Sequence, residues 1–234
     1  MRKFLSAEWR DLIIANYEVA PALLADRIPL GTELDLHEGR CFVSLVGFMF
    51  LNTRVLGIPI PGHVNFEEVN LRFYVKRRLP DETRRGVCFI KEIVPRRAIA
   101  LVARSLYGEP YEAWRMCNLR SGDEVRYEWW RTDSRNELSV RIGKNLGVPA
   151  DGSHEEFIIE HYWGYTKQGR GRSDEYKVEH PKWELCEVIS SEIDVDFGKV
   201  YGDEFAILNE SGPHSIIFAT GSRIAVYKGS RISD

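Results

Sequence analysis

The sequence of 234 residues predicts a mainly antiparallel α+β fold with a few short helices. Three observations lead to this fold class. Many segments alternate apolar and polar residues, as β-strands do. Most of these segments follow one another with no helix between them. Helix signals occur at only three places. Strands of this number and length usually close into a barrel or fold into a double sheet. A chain of this length can form one large β-rich domain or two small ones.

The strand candidates follow from alternation or from a continuous apolar run. In chain order they are 11–19, 40–50, 65–77, 85–94, 110–120, 124–131, 138–143, 174–180, 183–195, 214–219 and 223–228. The stretch 56–64 is expected to be a loop, because Pro59 and Pro61 remove backbone N–H donors that a sheet needs.

Three helices are predicted from their end signals. Pro21 fits the first position of a helix over 21–28, where its missing N–H costs nothing. Pro95 and Gly108 fit the start and the C-terminal cap of a second helix. The apolar stripe of that helix consists of Ala98, Ile99, Val102 and Leu106. Ser153 and Glu156 form a capping box for the third helix.

Bulk composition excludes several classes of function. A formal net charge of -3 argues against general binding to polyanions. Acidic residues interrupt the basic residues of 76–97, which fits solvated turns better than a nucleic-acid surface. No apolar run is long enough to span a bilayer, and the N-terminus lacks the pattern of a signal peptide. We expect a cytoplasmic protein that binds neither nucleic acid nor membrane; a homo-oligomer is left open.

No metal or cofactor is expected. The four cysteines are widely spaced and form no C-x-x-C pair, so we interpret them as reduced, mostly buried thiols. His154 and His161 are seven residues apart, with no carboxylate–histidine pattern nearby. The glycine-rich phosphate loops and the G-x-S-x-G nucleophile motif are absent from the sequence.

The segment "NFEEVNLRFYVKR" (65–77) has an unusual second face. Its first face carries Glu67, Val69, Leu71, Phe73 and Val75, which suits a core. The other face carries Phe66, Glu68, Asn70, Arg72 and Tyr74. The polar row permits two interpretations. It is either a cross-strand ion pair on a solvated face, or the lining of an interior pocket in which buried charges are paired or hydrated.

Several short segments, in this order, resemble the acetoacetate decarboxylase-like superfamily, and most of all its uncharacterised bacterial YqjF-like branch. They are P-A-L-L-A (21–25), G-R-C-F-V-S-L-V-G-F (39–48), F-E-E-V-N-L-R-F-Y-V (66–75), A-R-S-L-Y-G-E-P-Y (103–111), E-E-F-I-I-E-H-Y-W-G-Y-T (155–166) and V-E-H-P-K-W-E-L (178–185). The resemblance covers almost the whole chain. It implies one domain, residues 1–234, folded as a double-layered, cone-like β-barrel with outer helices and a polar interior cavity.

The same resemblance implies changed chemistry. Acetoacetate decarboxylases form a Schiff base on a lysine that a neighbouring cation and desolvation activate. The matching segment here places Tyr111 at the lysine and Glu112 at its neighbour, an alignment that rests on Arg104, Leu106 and Pro110. Tyrosine forms no imine, so acetoacetate decarboxylase activity is not expected.

Other pocket positions of the superfamily are retained in part. Its pocket arginine falls on Arg10 and one of its glutamates on Glu68, which supports the interior-pocket interpretation of the polar row. A second glutamate of the superfamily has no acidic counterpart near Val43 and Ser44.

Two functions remain open. The first is an enzyme that performs acid–base chemistry on a small oxo- or carboxylic acid, with Glu68 and Tyr111 as catalytic residues. The second is a non-catalytic barrel that binds a small anionic or polar ligand. The expected ligand-binding residues are Arg10, Asn70, Arg72 and Arg104. If these arginines met in one cavity, Glu68 alone would not neutralise them, and a small carboxylate would be the natural partner.

Overall fold

The computed structural model describes residues 2–169 and 171–232. Within helix α1, the side chains of 102, 103 and 105–107 lie outside this description, so the expected places of Val102 and Leu106 in an apolar stripe do too. The helices are α1 (Arg97–Tyr107), α2 (His154–Ile159) and α3 (Phe197–Tyr201), with 3₁₀ helices at Pro21–Arg27 and Asp203–Asn209.

Strands make up most of the described chain. They are β1 (Lys3–Val19), β2 (Glu33–Leu34), β3 (Cys41–Val55), β4 (Ile58–Pro59), β5 (Phe66–Arg78), β6 (Thr83–Val94), β7 (Tyr111–Ala113), β8 (Arg115–Ser121), β9 (Glu124–Arg131), β10 (Ser134–Gly147), β11 (Trp163–Gln168), β12 (Arg172–Glu179), β13 (Leu185–Asp194), β14 (Ser215–Tyr227) and β15 (Ser230–Ile232).

The strands form one sheet in the order β15-β12-β11-β6-β5-β3-β1-β14-β13-β10-β9-β8. β12 also pairs with β14, so within the described residues the hydrogen-bonded path from β12 through β5 to β14 returns to its start. The neighbouring pairs are antiparallel except β6–β11 and β6–β7. The mainly antiparallel, sheet-rich class is therefore confirmed, while the double-layered cone of a barrel stays a prediction.

β5 separates two hydrophobic cores. Its residues Val69, Leu71, Phe73 and Val75 belong to the first core, which also holds Trp129. The opposite face of β5 borders a second core, which contains Phe66, Tyr74, Phe48 and Phe157. Both faces of the strand are thus buried, which explains why neither face reads as an ordinary solvent face.

The signals at Gly108 and Ser153 act as the sequence predicted, whereas α1 begins at Arg97, two residues after the expected start at Pro95. Gly108 adopts a left-handed conformation, with φ 66°, and its N–H donates to the carbonyl of Arg104. The Ser153 hydroxyl accepts from the N–H of Glu156 at 3.2 Å.

Other boundaries differ from the sequence predictions. The two strands expected at 214–219 and 223–228 form one strand, β14, which continues through Gly221. β2, β4, β11, β15, α3 and the second 3₁₀ helix were not predicted. β4 lies inside the stretch 56–64 that was expected to be a loop; it pairs with β3 at the edge of the sheet, where a proline is tolerated.

Two of the four cysteines are buried, namely Cys41 and Cys88, and all four are free thiols. The part of the chain that the structure describes holds no group of three or more metal-ligating side chains. None of its helices combines the length and the apolar character that crossing a membrane requires.

Candidate functional site

A cavity of about 210 Å³ lies on the second-core side of β5. Residues of β1, β3, β5, β6, β7, β12 and α1 line it. One part is apolar and includes Trp9, Val46, Phe48, Phe50, Phe66, Phe89, Ile99 and Val178. The other part is polar and is formed by Glu68, Asn70, Arg72, Glu92, Glu109, Tyr111 and Tyr176; Thr53 and His63 are further polar residues of the lining. A few polar groups in an otherwise apolar cavity are typical of small-molecule sites.

The polar row of β5 faces this cavity. Glu68 and Asn70 are each 2% exposed, and Arg72 is 9% exposed. The interpretation as a solvated surface ion pair is therefore wrong, and the interior interpretation is the one that the structure supports.

Glu68 accepts two hydrogen bonds. The amide of Asn70 donates to its Oε1 at 3.0 Å, and the hydroxyl of Tyr111 donates to its Oε2 at 3.1 Å. Burial raises the pKa of Glu68 to about 7, although both hydrogen bonds and the charge of Arg72 oppose this rise. A carboxyl with this pKa changes its protonation state near neutral pH, which suits a general base.

Arg72 is held without a carboxylate partner. Its Nη2 donates to the carbonyl of Ile158 at 3.4 Å, and its guanidinium lies 5.7 Å from the centre of the Tyr74 ring. Its Nε has no hydrogen-bond partner among the described residues. No carboxylate oxygen of the described chain forms an ion pair with Arg72, Glu68 included. A buried guanidinium of this kind can bind an incoming anion.

Two further carboxyls complete the polar part. Glu92 is 1% exposed, and its pKa lies well above the usual range because of burial and the charges of Glu109 and Glu68. Glu109 accepts from the hydroxyl of Tyr176 at 2.5 Å. Burial raises the pKa of Glu109 to about 8, the Tyr176 hydrogen bond lowers it, and the charge of Glu68 adds to the rise. Sequence reasoning predicted none of Glu92, Glu109 and Tyr176.

A β-bulge explains why Glu92 was missed. Leu71 pairs with Lys91 but Arg72 pairs with Phe89, so β6 holds one extra residue at this point. The bulge reverses the alternation, and Phe89 and Glu92, three residues apart, both line the cavity. Simple alternation would place them on opposite faces.

The segment after α1 places Glu109 and Tyr111 at the cavity. The N–H of Glu92 donates to the carbonyl of Pro110 at 3.1 Å, and Tyr111 pairs in register with Glu92. Glu109 and Tyr111, which flank Pro110, therefore both reach the cavity. Tyr176 comes from β12, where it packs over Gly164.

Arg10 and Arg104 do not line the cavity, which corrects the expectation of an arginine excess. The Arg10 guanidinium is paired with Glu8 at 2.6 Å and donates to the carbonyl of Gly221. Arg104 is exposed, and its Nε donates to the carbonyl of Ala100 in its own helix. Among the lining residues that the structure describes, Arg72 is the one arginine, and three carboxyls, Glu68, Glu92 and Glu109, line the same cavity.

The chain belongs to the DUF2071 family, described as an uncharacterized conserved protein, whose model matches residues 6–223. It is also 27% identical over 192 residues to the uncharacterized protein YqjF of Bacillus subtilis (strain 168). That alignment covers 80% of this chain and 77% of YqjF.

Solved structures of acetoacetate decarboxylase-like proteins share the fold. The acetoacetate decarboxylase of Legionella pneumophila superposes with a TM-score of 0.68 at 12% identity, covering 100% of this chain and 88% of that one. An acetoacetate decarboxylase-like enzyme of Sphingomonas wittichii RW1 gives 0.66 at 12% identity, covering 100% and 95%. The enduracididine biosynthesis enzyme MppR, in complex with pyruvate, gives 0.67 at 12% identity, covering 100% and 92%.

Proposed function

We propose that the cavity binds a small oxo acid and moves a proton at the carbon next to its carbonyl group, with Glu68 as the base and without a Schiff base. The observation that carries this proposal is the desolvated Glu68 carboxyl hydrogen-bonded to Tyr111 at 3.1 Å. A Glu68–Arg72 ion pair would have favoured a structural role, and no such pair is present within the described chain.

Glu68 has the environment of a general base. Its pKa of about 7 leaves a substantial ionised fraction at neutral pH and makes the carboxylate a stronger base than an exposed glutamate. The hydrogen bonds from Asn70 and Tyr111 fix the direction in which its oxygens point. Tyr111 and Asn70 therefore position the base in the free protein.

Arg72 supplies the site for the carboxylate of the ligand. Its buried guanidinium lines the same cavity as Glu68 and has an Nε without a partner among the described residues. A bound carboxylate would offset the cost of burying an unpaired cation. The apolar part of the cavity, including Phe48 and Phe66, would receive the hydrocarbon body of the ligand.

Schiff-base chemistry is not part of the proposal, because no lysine is among the lining residues of the described cavity. Lys91 of β6 donates to the carbonyl of Val200 at 2.7 Å and pairs with Glu112, which places it on the first-core side. The proposed reaction therefore depends on acid–base groups alone.

Proton exchange in heavy water tests the proposal directly. Pyruvate, 2-oxobutanoate and 4-methyl-2-oxopentanoate would be incubated with the protein, and loss of the proton signal next to the carbonyl would be followed by NMR. Glu68→Gln should abolish the catalysed exchange. The matched control is Glu67→Gln, because Glu67 is the next residue but faces the other side of β5, where it accepts from Asn118.

The result also separates the two candidate functions. Exchange that exceeds the background and disappears in Glu68→Gln identifies an enzyme. Ligands that stabilise the protein without any catalysed exchange would identify a non-catalytic binding protein instead and would refute the catalytic proposal.

A further inference from the structure

Glu92 has an oxygen that the free protein leaves unsatisfied. The carboxyl is 1% exposed and lines the cavity, and its Oε2 has no hydrogen-bond partner among the described residues. Its backbone lies opposite Asn70 on β5 and opposite Tyr111 on β7. Side chains at directly opposite positions of neighbouring strands lie close together, so Glu92 lies beside Asn70 and Tyr111, the two residues that hydrogen-bond the base Glu68.

An ionised Glu92 would be costly at this position. No lysine or arginine of the described chain forms an ion pair with it. Burial and the charges of Glu109 and Glu68 raise its pKa, and a hydrogen bond from Tyr111 opposes this rise without cancelling it. A buried carboxylate with no cation and with one bare oxygen loses most of its hydration without compensation. A neutral carboxyl avoids this cost and has an O–H to donate, but its donor then needs an acceptor.

We propose that Glu92 is a neutral carboxylic acid that donates its proton in a hydrogen bond to the carbonyl oxygen of the bound oxo acid. This inference rests on the proposed function and adds a catalytic residue to it. It assigns opposite roles to two buried glutamates: Glu68 accepts a proton from carbon, and Glu92 stabilises the charge that develops on oxygen. A preorganised hydrogen-bond donor that stabilises the negative charge on the carbonyl oxygen lowers the barrier to enolate formation.

The proton and electron balance is simple. The C–H bond next to the carbonyl breaks, its proton passes to the Glu68 carboxylate, and its electron pair forms the carbon–carbon double bond of the enolate. The carbonyl π electrons move to oxygen, where the Glu92 O–H hydrogen bond stabilises the negative charge. Return of a solvent deuteron from Glu68 to carbon completes the exchange, and Glu92 keeps its proton throughout.

The protonation of Glu92 can be measured in the free protein. Infrared spectra at pH 9, above the pKa values of Glu68 and Glu109, should show a protonated-carboxyl C=O band. The band should be lost in Glu92→Gln and kept in Glu192→Gln, which alters an exposed glutamate. A spectrum without the band, or with a band that Glu92→Gln retains, would overturn the proposal.

The donor role has a readout that needs no turnover. Bound pyruvate labelled with ¹³C at its carbonyl should show a resonance displaced from that of free pyruvate in the wild type and in Glu92→Gln, whose amide still donates. In Glu92→Leu, which has no donor, the resonance should lie near that of free pyruvate. Equal resonances in the wild type and Glu92→Leu would refute the hydrogen bond.

Exchange rates complete the test. Removing one such donor typically costs about 10²–10³ in rate, so Glu92→Leu should lose at least about 100-fold while Glu92→Gln keeps most of the activity. If Glu92→Gln loses as much activity as Glu92→Leu, hydrogen-bond donation does not explain the role of Glu92, and the proposed donor role is refuted. If the wild type binds pyruvate without exchange, the proposed function fails, while the infrared band and the carbonyl resonance still decide the state and contact of Glu92.

Discussion

Glu109→Gln should make the protein more stable at alkaline pH. Glu109 is buried, and its pKa rises from 4.5 to about 8. At about 1.4 kcal/mol per pH unit, this rise corresponds to an upper limit of about 5 kcal/mol. Glutamine removes the ionisation and keeps an oxygen that can accept from Tyr176. We expect a gain in the free energy of unfolding of about 2–3 kcal/mol at pH 9, because neighbouring groups relax around an ionised carboxyl.

The sign of the pH dependence follows from the raised pKa. Below pH 4.5 the carboxyl is protonated in both the folded and the unfolded protein, so it adds no difference between wild type and variant. As the pH rises from 4.5 through about 8, the unfolded protein ionises first, and the folded protein loses stability. The variant lacks this ionisation and should not lose stability in this way. The difference in free energy of unfolding between variant and wild type should therefore increase from pH 4.5 to about pH 8.

Urea unfolding at pH 4, 7 and 9 measures the effect. With an m-value of about 2 kcal/mol/M, a gain of about 2 kcal/mol moves the midpoint by about 1 M. Glu192→Gln is the control, since it removes an exposed carboxyl. A Glu109→Gln variant that gains the same stability at pH 4 and pH 9, or gains none at pH 9, would contradict the burial argument.

Three further predictions concern stabilisation by carboxylate ligands, trapping of a Schiff base, and the packing of Tyr176 on Gly164. Small carboxylates should raise the melting temperature of the wild type; Arg72→Met should abolish this response, whereas Arg10→Met and Lys76→Met, both outside the cavity lining, should retain it. Borohydride should trap no adduct of pyruvate or acetoacetate on a cavity residue, and mass-spectrometric detection of one would overturn the alignment of Tyr111. Gly164→Ala would place a Cβ atom 2.1 Å from Cζ of Tyr176, so the ring must move. We expect this variant to lose about 1–3 kcal/mol of free energy of unfolding, measured by thermal or urea unfolding. Gly212→Ala, whose Cβ would have no atom within 4 Å, should not lose stability in this way.

Local signals in the sequence predicted those parts of the fold that depend on local chemistry. Gly108 and Ser153 cap their helices because a left-handed residue and a short hydroxyl side chain act on neighbouring backbone groups. The row Glu68, Asn70 and Arg72 was predicted to share one face because a period of two needs only an unbroken strand. β5 is such a strand.

Longer-range events were beyond local reasoning. The bulge in β6 brings Glu92 to the cavity, and residues 88–92 contain no glycine or turn residue that would mark its position. Glu109 and Tyr176 meet although 67 residues separate them, because β7 and β11 both pair with β6 and β12 pairs with β11. Arg10 shares β1 with the cavity-lining Trp9 but pairs with Glu8, because Asp11 has a φ of 54° and the pairing of β1 with β3 shifts between Arg10 and Ile13. Alternation therefore fails where the strand is irregular.

The carboxyls around Tyr111 determine whether this cavity could support Schiff-base chemistry. A lysine that forms imines needs a lowered pKa, which desolvation and a neighbouring cation provide. Tyr111 is instead surrounded by Glu68, Glu92 and Glu109, and each of these carboxyls that ionises beside an amine, Glu68 first, would raise the pKa of that amine. Tyr111→Lys should therefore yield a protonated, ion-paired lysine and no borohydride-trapped imine with pyruvate at pH 7. A trapped adduct at position 111 would show that the carboxyls are largely neutral even with a cation among them, and the electrostatic argument for a changed chemistry would fail.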